Sequence, residues 1–414
     1  MNLHIFIFFS ITFLLLSCNF KKINKKEDNL GRCTNPSGEL VSWYIIYSLQ
    51  NHYNTFVYID NTLSNFKNFN AEKIPFPPLL LVKGINKREK YNYAIWNDDM
   101  LNPNTSRKSF GAHSKGIFAH DHEKSSLLIH SLPRFPVLKN DGKTLIEDMP
   151  ENEGKFAQTF LCINMDNREA VQILNKMDYL SLGIQTSFVN LYKSFKRQLY
   201  YESALISENN ILFKSDLSIL DKTIYNEIML DKLNLISKKK KAYNSVSDVV
   251  RALLELVNGA ATSKERNEFT LNIKSDDDSS FVYFGKPRDN KYNLPYEEII
   301  PNYFKDNLFV GTWTRPRLLD PICDKKYRVT NIYEYNILSK YRYSNNQDHS
   351  KWAVTEKDIA ICIGDLNRTE SQLSRGGAVM CLKNKLVSKQ VKQFIIGSDI
   401  CKDIDFQSSL NFLQ

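Results

Sequence analysis

The sequence predicts an α/β protein with mixed sheets that is built from two similar halves. Strand-like runs rich in aromatic and β-branched residues alternate with segments of helical periodicity, a pattern typical of α/β architectures. The tripeptide His-Ser-Lys occurs at 113–115 and again at 349–351, 236 residues later. Aromatic strands that start at Trp43 and Phe281 lie 70 and 68 residues before the two tripeptides. Because strand and tripeptide recur together, we predict an internal duplication whose two copies face each other.

The length of 414 residues suits two domains, or one large unit made of two halves. Hydrophobic residues make up 42% of the chain and aromatic residues 12%, which is enough for a well-buried interior. The expected divisions are a signal peptide at 1–18, a flexible lead-in at 19–35, an N-terminal half at 36–200, a linking and helical region at 201–279, and a C-terminal half at 280–405.

The amino terminus predicts secretion. Residues 5–16 form an apolar or small-polar run that is too short to span a bilayer, and the basic pair at 21–22 follows it. An alternative is a bacterial lipoprotein cleavage box at 15–18, in which Cys18 would carry the lipid anchor. No second stretch reaches transmembrane length. We therefore expect a secreted or lysosomal protein whose only membrane contact is the signal segment.

The first half is predicted to consist mainly of strands. Its strand candidates are 42–49, 91–96, 116–119, 126–130 and 159–163. Apolar residues recur every three or four positions over 168–180, which predicts a helix there.

The second half repeats this alternation of strands and helices. The segment 246–257 is periodic, with Ser245 as a candidate N-cap and Gly259 just past its end. A further helix is predicted at 386–396, before Gly397. Strand candidates are 280–285, 308–313, 359–363 and 378–382.

The charge of the chain favours a polyanionic partner only weakly. The formal net charge is +9, and excess lysine and arginine concentrate polyanions such as nucleic acid near a surface. Lysines on an ordinary solvated surface give the same value. The lysine run at 238–241 and the acidic run at 276–278 are interpreted as solvated loops.

The cysteines predict disulfide bonds. Six remain if Cys18 leaves with the signal peptide or is lipidated, and an even number in a secreted chain implies pairing that the sequence alone leaves open. No Cys-x-x-Cys pair is present, so a zinc site is not predicted. Asn104, in a polar loop, is a candidate for glycosylation.

The residues that follow the two His-Ser-Lys tripeptides favour a functional role for them. A third His-x-Lys at 122–124 is interpreted as a chance occurrence. Gly364 and Asn367 follow His349 by 15 and 18 residues. The polar residues that follow His113 are Asp121 at +8, His130 at +17 and Ser131 at +18. Since residues i and i+2 of a strand share a face, each tripeptide is predicted to present imidazole and ammonium together.

Such a set of residues suits phosphodiester hydrolysis. Two copies related by a pseudo-two-fold axis would converge on one phosphate, where a neutral imidazole attacks phosphorus and a protonated one donates to the leaving oxygen. Lys115, Lys351 and Asn367 would hold the non-bridging oxygens, a role that Mg²⁺ has elsewhere. We therefore predict neither a metal nor a cofactor. Because nearby lysines lower the pKa of an imidazole, activity should peak in mildly acidic solution.

The surrounding segments resemble the deoxyribonuclease II family. The segments that carry the resemblance are 348–354, 362–368 and 375–377 in the second half, and 42–47, 111–116, 130–136 and 158–162 in the first. His-x-Lys followed by a Gly-x-x-Asn turn is also the form of phospholipase D superfamily motifs. The resemblance runs from about residue 38 to 402. It implies a phospholipase D-like pseudo-dimer that hydrolyses DNA at acid pH without metal and leaves 3′-phosphate ends, through a phosphohistidine intermediate.

The resemblance also implies roles for individual residues. His349 matches the essential histidine of the family and His113 its partner, and which of them attacks is left open. The residues expected to bind phosphate are Lys351, Lys115, Asn367 and Ser131, and those expected to support the site are Asp121, His130 and Asp365. The implied disulfides are Cys33–Cys162, Cys323–Cys401 and Cys362–Cys381.

Two other functions remain open at this point. One is a secreted DNA-binding or host-interaction protein that has kept the fold without catalysis; the other is a phospholipase acting on lipid phosphodiesters. The presence of both His-x-Lys pairs favours a DNA-cleaving enzyme over the first. The basic charge and the lack of an apolar docking stretch argue against the second. The oligomeric state is left open.

Overall fold

The computed structural model describes most of both halves. The described residues are 29–50, 55–86, 91–99, 112–121, 123–139, 144–150, 154–180, 182, 184–189, 213–215, 247–258, 268–288, 290, 294–315 and 317–401. The predicted signal peptide with Cys18, the sequon at Asn104, the lysine run at 238–241, Ser245 and Gly259 lie outside these ranges.

The first sheet is antiparallel throughout the described residues. Its strands are β1 (Trp43–Ser48), β2 (Thr55–Asp60), β3 (Lys67–Asn70), β4 (Asn92–Trp96), β5 (Gly116–His120), β6 (Ser125–His130), β7 (Gln158–Met165), β8 (Ile184–Val189) and β9 (Phe213–Ser215). Their order is β3-β2-β1-β7-β6-β5-β4-β8-β9. Every neighbouring pair runs antiparallel.

The second sheet contains one parallel pair. Its strands are β10 (Phe269–Lys274), β11 (Ser280–Lys286), β12 (Leu308–Gly311), β13 (Val329–Ile337), β14 (Tyr341–Ser344), β15 (Trp352–Thr355), β16 (Ile361–Gly364), β17 (Gly377–Leu382) and β18 (Ile395–Ser398). Their order is β10-β11-β17-β16-β15-β12-β13-β14, with β18 also paired to β13. The pair β12 and β13 is parallel. The prediction of an α/β protein with a mixed sheet is confirmed.

The helices of the described residues pack against these sheets. They are α1 (Pro77–Asn86), α2 (Asn167–Met177), α3 (Asp248–Asn258), α4 (Ile300–Phe304, preceded by a π-helical turn at Pro295–Ile299) and α5 (Lys385–Lys392). The helix α2 buries Ala170, Ile173, Leu174 and Met177, whose spacing places them on one face. That face packs against α3. The periodic patterns at 168–180 and 246–257 thus predicted real helices.

The helix α5 is shorter than the sequence predicts. It starts at an N-cap, Asn384, whose side chain accepts a hydrogen bond from the backbone N–H of Val387, and it ends at Lys392. The predicted helix over 386–396 is therefore wrong in its last residues. The segment Ile395–Ser398 forms β18 because it pairs with β13, and β-branched isoleucines suit that extended conformation.

The central five strands of the two sheets have the same topology. The order β1-β7-β6-β5-β4 in the first sheet corresponds to β11-β17-β16-β15-β12 in the second. In both sheets these strands succeed one another along the chain in the same sequence, and all neighbours are antiparallel. This correspondence supports the prediction of two similar halves.

The two sheets share one hydrophobic core. Alternate residues of each strand point to opposite faces, so Trp43 and Ile45 enter the shared core while Tyr44 and Ile46 enter a second core under α1. A third core lies between the second sheet and α4. In the shared core the ring of Trp43 meets that of Phe281 edge-on, with centroids 6.5 Å apart. The two aromatic strands singled out by their spacing therefore contact each other.

Three disulfides join the six described cysteines. They are Cys33–Cys162, Cys323–Cys401 and Cys362–Cys381, the pairs that the family resemblance implies. The first ties the segment before β1 to β7, and the last links the neighbouring strands β16 and β17. In the part of the chain that the structure describes, no helix is both long and apolar enough to cross a membrane.

Candidate active site

The two His-Ser-Lys tripeptides occupy equivalent positions in the two halves. Residues 113–115 lie directly before β5, and residues 349–351 lie directly before β15. The sequence places each tripeptide on a strand, whereas the structure places it on the segment that leads into one. The reason is that the backbone of each histidine pairs with the other half and not with its own sheet.

Reciprocal hydrogen bonds connect the tripeptides across the two halves. The backbone N–H of His113 donates to the carbonyl of Gly376, just before β17, over 2.8 Å. The backbone N–H of His349 donates to the carbonyl of Ala157, just before β7, over 2.9 Å. Because β7 and β17 are equivalent strands, each half supports the motif of the other in the same way.

The histidine and lysine side chains of the two tripeptides act on one another electrostatically, and we call these four side chains the cluster. Burial, and then the charge of Lys115, lower the pKa of His113 well below its usual value, and Lys351 of the other half acts in the same direction. Burial, Lys351 and then Lys115 lower the pKa of His349 to about 3. Burial and the neighbouring Lys115 lower the pKa of Lys351 to about 7. Each lysine therefore acts on the histidine of the opposite motif.

A carbonyl oxygen fixes the tautomer of His113. Its Nδ1 lies 2.6 Å from the backbone carbonyl oxygen of Asp365. Since a carbonyl oxygen can only accept a hydrogen bond, Nδ1 must carry the proton. The Nε2 atom of the neutral ring is then left with a lone pair. His113 is 9% exposed, so this atom faces a confined, polar space.

Asp98, two residues after β4, faces that Nε2 atom. One of its carboxylate oxygens lies 3.6 Å from Nε2 of His113 and 3.2 Å from a guanidinium nitrogen of Arg375, and the other contacts the ammonium group of Lys115. Burial favours the neutral carboxyl, but Lys115, His113 and Arg375 together hold the pKa of Asp98 below its usual range. Sequence reasoning missed this residue, whose only signal is its position just past a predicted strand.

Aromatic rings surround His349 instead. The ring of Phe156 stacks on the imidazole with centroids 3.8 Å apart and planes within 12°. The ring of Trp313 approaches the imidazole edge-on at 4.1 Å. Trp313 lies two residues after β12, as Asp98 lies two residues after β4. The same topological position therefore supplies a carboxylate to one histidine and an aromatic ring to the other; sequence reasoning missed Phe156 and Trp313.

Two buried aspartates hold the backbone of the motifs. Asp365 accepts a hydrogen bond from the hydroxyl of Ser114 over 2.7 Å, and burial raises the pKa of this carboxyl to about 7. Asp348 accepts hydrogen bonds from the Tyr47 hydroxyl and the Ser350 backbone N–H, each over 2.7 Å, and burial raises its pKa to about 6. Asp365 thus lies at the cluster, where it supports the first tripeptide.

His130 and Ser131 lie beside the cluster at the end of β6. His130 is fully buried between the rings of Phe135 and Phe160, and burial followed by the charge of Lys115 lowers its pKa to about 3. The Ser131 hydroxyl donates to the side-chain oxygen of Gln158 over 2.6 Å and accepts from the backbone N–H of Thr159 over 2.9 Å. Both side chains are held by groups of the first half.

The remaining predicted residues differ in their placement. Asn367 is 9% exposed, on the turn that follows Asp365, and lines a small cavity beside Lys286 and Tyr296. Asp121 lies at the far end of β5, in the turn to β6, where it accepts hydrogen bonds from the backbone N–H groups at 123 and 124. The structure does not bring Asp121 to the cluster.

Glycine at 376 allows the close approach of the two halves. A Cβ atom there would lie 2.4 Å from the carbonyl oxygen of Leu180, which is closer than real contacts permit. The carbonyl of Gly376 accepts a hydrogen bond from the backbone N–H of His113, so this turn holds the first motif in place. In the described ranges, no three histidine, cysteine, aspartate or glutamate side chains are grouped to hold a metal ion.

The cluster is chemically suited to bind an anion and transfer a proton. It combines two imidazoles with two buried ammonium groups, beside one guanidinium. Cationic groups in a site of low water content stabilise negative charge more strongly than they would in bulk solvent. A neutral imidazole with a fixed tautomer can supply a nucleophile, and a protonated imidazole can supply an acid.

Comparison with known proteins shows similarity along both halves. A profile of the deoxyribonuclease II family matches residues 32–401. The chain is 24% identical over 388 residues to deoxyribonuclease-2-beta of Mus musculus, which covers 89% of this chain and 92% of that protein. It is 25% identical over 375 residues to plancitoxin-1 of Acanthaster planci, with coverages of 86% and 88%. Deoxyribonuclease-2-alpha of Mus musculus is 24% identical over 367 residues, with coverages of 84% and 87%.

Proposed function

This chain belongs to the deoxyribonuclease II family, and on that premise we propose that it is a secreted acid endonuclease that hydrolyses DNA through His113 and His349. The observation that carries this proposal is the convergence of two His-x-Lys motifs from equivalent positions in two similar sheets. Each motif is held by a backbone hydrogen bond to the opposite half. One phosphodiester placed between them would meet both imidazoles and both ammonium groups.

His113 supplies the nucleophile in this scheme. Its Nδ1 proton is engaged with the carbonyl of Asp365, which leaves the Nε2 lone pair to attack phosphorus. His349, protonated, donates its proton to O5′ as the P–O5′ bond breaks, and the 5′-hydroxyl product leaves. Water then attacks phosphorus, the bond between phosphorus and Nε2 of His113 breaks, and His349 accepts a proton from the water. The products are a 3′-phosphate and a 5′-hydroxyl, and both histidines return to their starting states.

The lysines bind the phosphate and stabilise its developing charge. Lys115 and Lys351 are 4% exposed, so their ammonium groups act in a site with little water. Asn367 and Ser131 are further candidates for phosphate contact. We propose that this charge neutralisation makes a metal ion unnecessary.

Acidic conditions favour the reaction in this scheme. The pKa of His349 is lowered to about 3, so the acid form that the mechanism needs becomes more abundant as pH falls. A bound phosphate adds negative charge beside the ring and favours the imidazolium. Activity should therefore rise from neutral to mildly acidic pH.

The proposed location is the lysosome or the extracellular space. Three disulfides join the six described cysteines, and such bonds persist in oxidising compartments. The apolar segment at 5–16 is the proposed signal sequence. Expression in a secreting host followed by amino-terminal sequencing of the mature protein tests this assignment.

The activity is tested by incubating the purified protein with plasmid DNA in EDTA at about pH 5. The wild-type protein should cut the plasmid, whereas His113→Ala and His349→Ala should each lose activity by about a thousandfold or more. His122→Ala is the matched control, because it removes the histidine of the third His-x-Lys and should cut normally. The new 5′ ends should accept label from a polynucleotide kinase without phosphatase treatment.

The outcomes separate the proposed function from its alternatives. Equal cleavage by all four proteins would remove the catalytic assignment. If the wild-type protein bound DNA but did not cleave it, the result would favour a non-catalytic DNA-binding protein. Hydrolysis of phospholipid vesicles in place of plasmid would favour the phospholipase.

A further inference from the structure

The carboxylate of Asp98 lies among the cations of the proposed site. Its three partners are the ammonium group of Lys115, the guanidinium group of Arg375 and Nε2 of His113. The Asp98 side chain is 11% exposed, so few water molecules share these contacts. These groups therefore form an anion-binding position, and the Asp98 carboxylate occupies it.

That position coincides with the place from which a phosphate would react. Reacting atoms must approach to about 3–3.5 Å, and an Asp98 oxygen lies 3.6 Å from Nε2 of His113. A carboxylate and a phosphodiester each carry one negative charge and offer oxygen acceptors to the same lysine and guanidinium groups. Steric overlap prevents both from contacting Nε2 at once.

We propose that the Asp98 carboxylate occupies the position of the scissile phosphate and that the phosphate displaces this carboxylate when DNA binds. Arg375 is then a phosphate-binding residue. This inference rests on the proposed function. In this proposal the Asp98 side chain rotates away to clear the position. Arg375 also donates to the backbone carbonyl of Ala112 over 3.2 Å, and this bond holds the guanidinium group beside His113 after the carboxylate leaves.

The position of Asp98 does not fit a role in orienting His113. The hydrogen bond between Nδ1 and the Asp365 carbonyl already fixes the ring and its tautomer. An orienting carboxylate accepts the N–H on the side of the ring opposite the reacting nitrogen, whereas Asp98 faces Nε2 itself. Burial alone would raise the pKa of Asp98, but the charges of Lys115 and Arg375 help to hold it low, so acid does not neutralise the carboxylate and the phosphate must compete for the position.

The substitution Asp98→Asn distinguishes competition from orientation. If Asp98 competes with phosphate, the variant should show a KM for DNA about fivefold lower at pH 5, with kcat within about twofold of wild type. Inorganic phosphate should bind about fivefold more tightly by titration calorimetry. Asp99→Asn is the matched control and should change none of these values. A fall in kcat with an unchanged or higher KM, and unchanged phosphate binding, would overturn the proposal.

The role of Arg375 is tested by Arg375→Gln, alone and combined with Asp98→Asn. If the guanidinium binds phosphate, the substitution should raise the dissociation constant of inorganic phosphate about tenfold in both backgrounds. If Arg375 only neutralises Asp98, the double variant should bind phosphate as Asp98→Asn does, which would overturn this assignment. Should Asp98→Asn fail to fold, an unchanged phosphate affinity in Arg375→Gln would contradict the proposal by itself.

The phosphate titration also separates this inference from the proposed function. A wild-type protein that cuts no DNA would refute the nuclease activity. The calorimetric comparison of wild type with Asp98→Asn does not depend on cleavage and would still show whether the carboxylate competes with phosphate.

Discussion

The two motif histidines share a tripeptide but differ in their surroundings. His113 is held by a carbonyl oxygen on one ring nitrogen and faces the carboxylate of Asp98 on the other. His349 is enclosed by the rings of Phe156 and Trp313. The repeated tripeptide thus lies in two different environments, which fits the proposed mechanism, in which one imidazole attacks and the other donates a proton.

The aromatic enclosure of His349 predicts the effect of opening it. The substitution Phe156→Ala exposes the imidazole to water, and because burial is the largest cause of its lowered pKa, that pKa should rise from about 3 toward the ordinary value. Titration of the His349 resonance by NMR measures this change. Tyr333→Ala, at a ring that is 46% exposed, is the control and should leave the resonance unchanged. A pKa that stays near 3 in Phe156→Ala would contradict this account.

Lys351 predicts how DNA binding depends on pH. Its pKa is lowered to about 7 by burial and Lys115, so the ammonium group is charged below that pH and loses its charge as pH rises through it. The KM for DNA should therefore rise between about pH 6 and pH 8. In Lys351→Arg the guanidinium stays charged, so KM should be flat over this range, whatever its absolute value. Lys389→Arg, an exposed position, should keep the wild-type dependence.

The sequence indicates the histidines and lysines of the proposed site because they recur in a tripeptide with a fixed spacing. It missed Asp98, Phe156 and Trp313 because their role depends on contacts between segments far apart in the chain. Asp98 lies 277 positions from Arg375, and nothing in the residues around either one predicts that they meet. The role expected for Asp121 depended on spacing alone, and the structure places that residue in a turn at the opposite end of β5.

At the scale of elements, aromatic and β-branched runs predicted every central strand of the two sheets except β15. The strands β2, β3, β8, β9, β10, β13, β14, β15 and β18 were not predicted, and β10 and β18 show two physical reasons for this. In β10 only two of six residues are buried, so its composition is partly polar. In β18 an apolar run continues the periodicity of α5, and only pairing with β13 makes it extended. Pairing with a distant strand is a tertiary effect that local patterns do not encode.

The different loop lengths of two disulfides predict how much each contributes to the free energy of unfolding. The pairs Cys33–Cys162 and Cys362–Cys381 are all fully buried but close loops with sequence separations of 129 and 19 residues. Because a longer loop loses more entropy on closure, replacing both cysteines of the first pair by alanine should cost about 5 kcal/mol of unfolding free energy, against about 3 kcal/mol for the second. Urea unfolding measures both. Equal costs, or the reverse order, would contradict the argument.

At the scale of the whole molecule, the site is a product of how the two sheets meet. Trp43 of β1 contacts Phe281 of the equivalent strand β11 in the shared core. The reciprocal bonds from His113 to Gly376 and from His349 to Ala157 lie at the same junction. The backbone N–H of each histidine donates to a carbonyl of the other half. The lysine of each motif also lowers the pKa of the histidine in the other motif. In the proposed function, the two similar halves together form the site.

If both motifs bind the same phosphate, a crystal structure with bound tungstate should show this most directly. Oxyanions of this kind mimic the transition state of phosphoryl transfer. We predict one tungstate ion within about 3.2 Å of Nε2 of His113, of a ring nitrogen of His349 and of the Lys115 and Lys351 ammonium groups, with the Asp98 carboxylate turned away. Two separate ions, one at each motif, or a single ion that contacts only one histidine, would contradict the binding of one phosphate by both motifs.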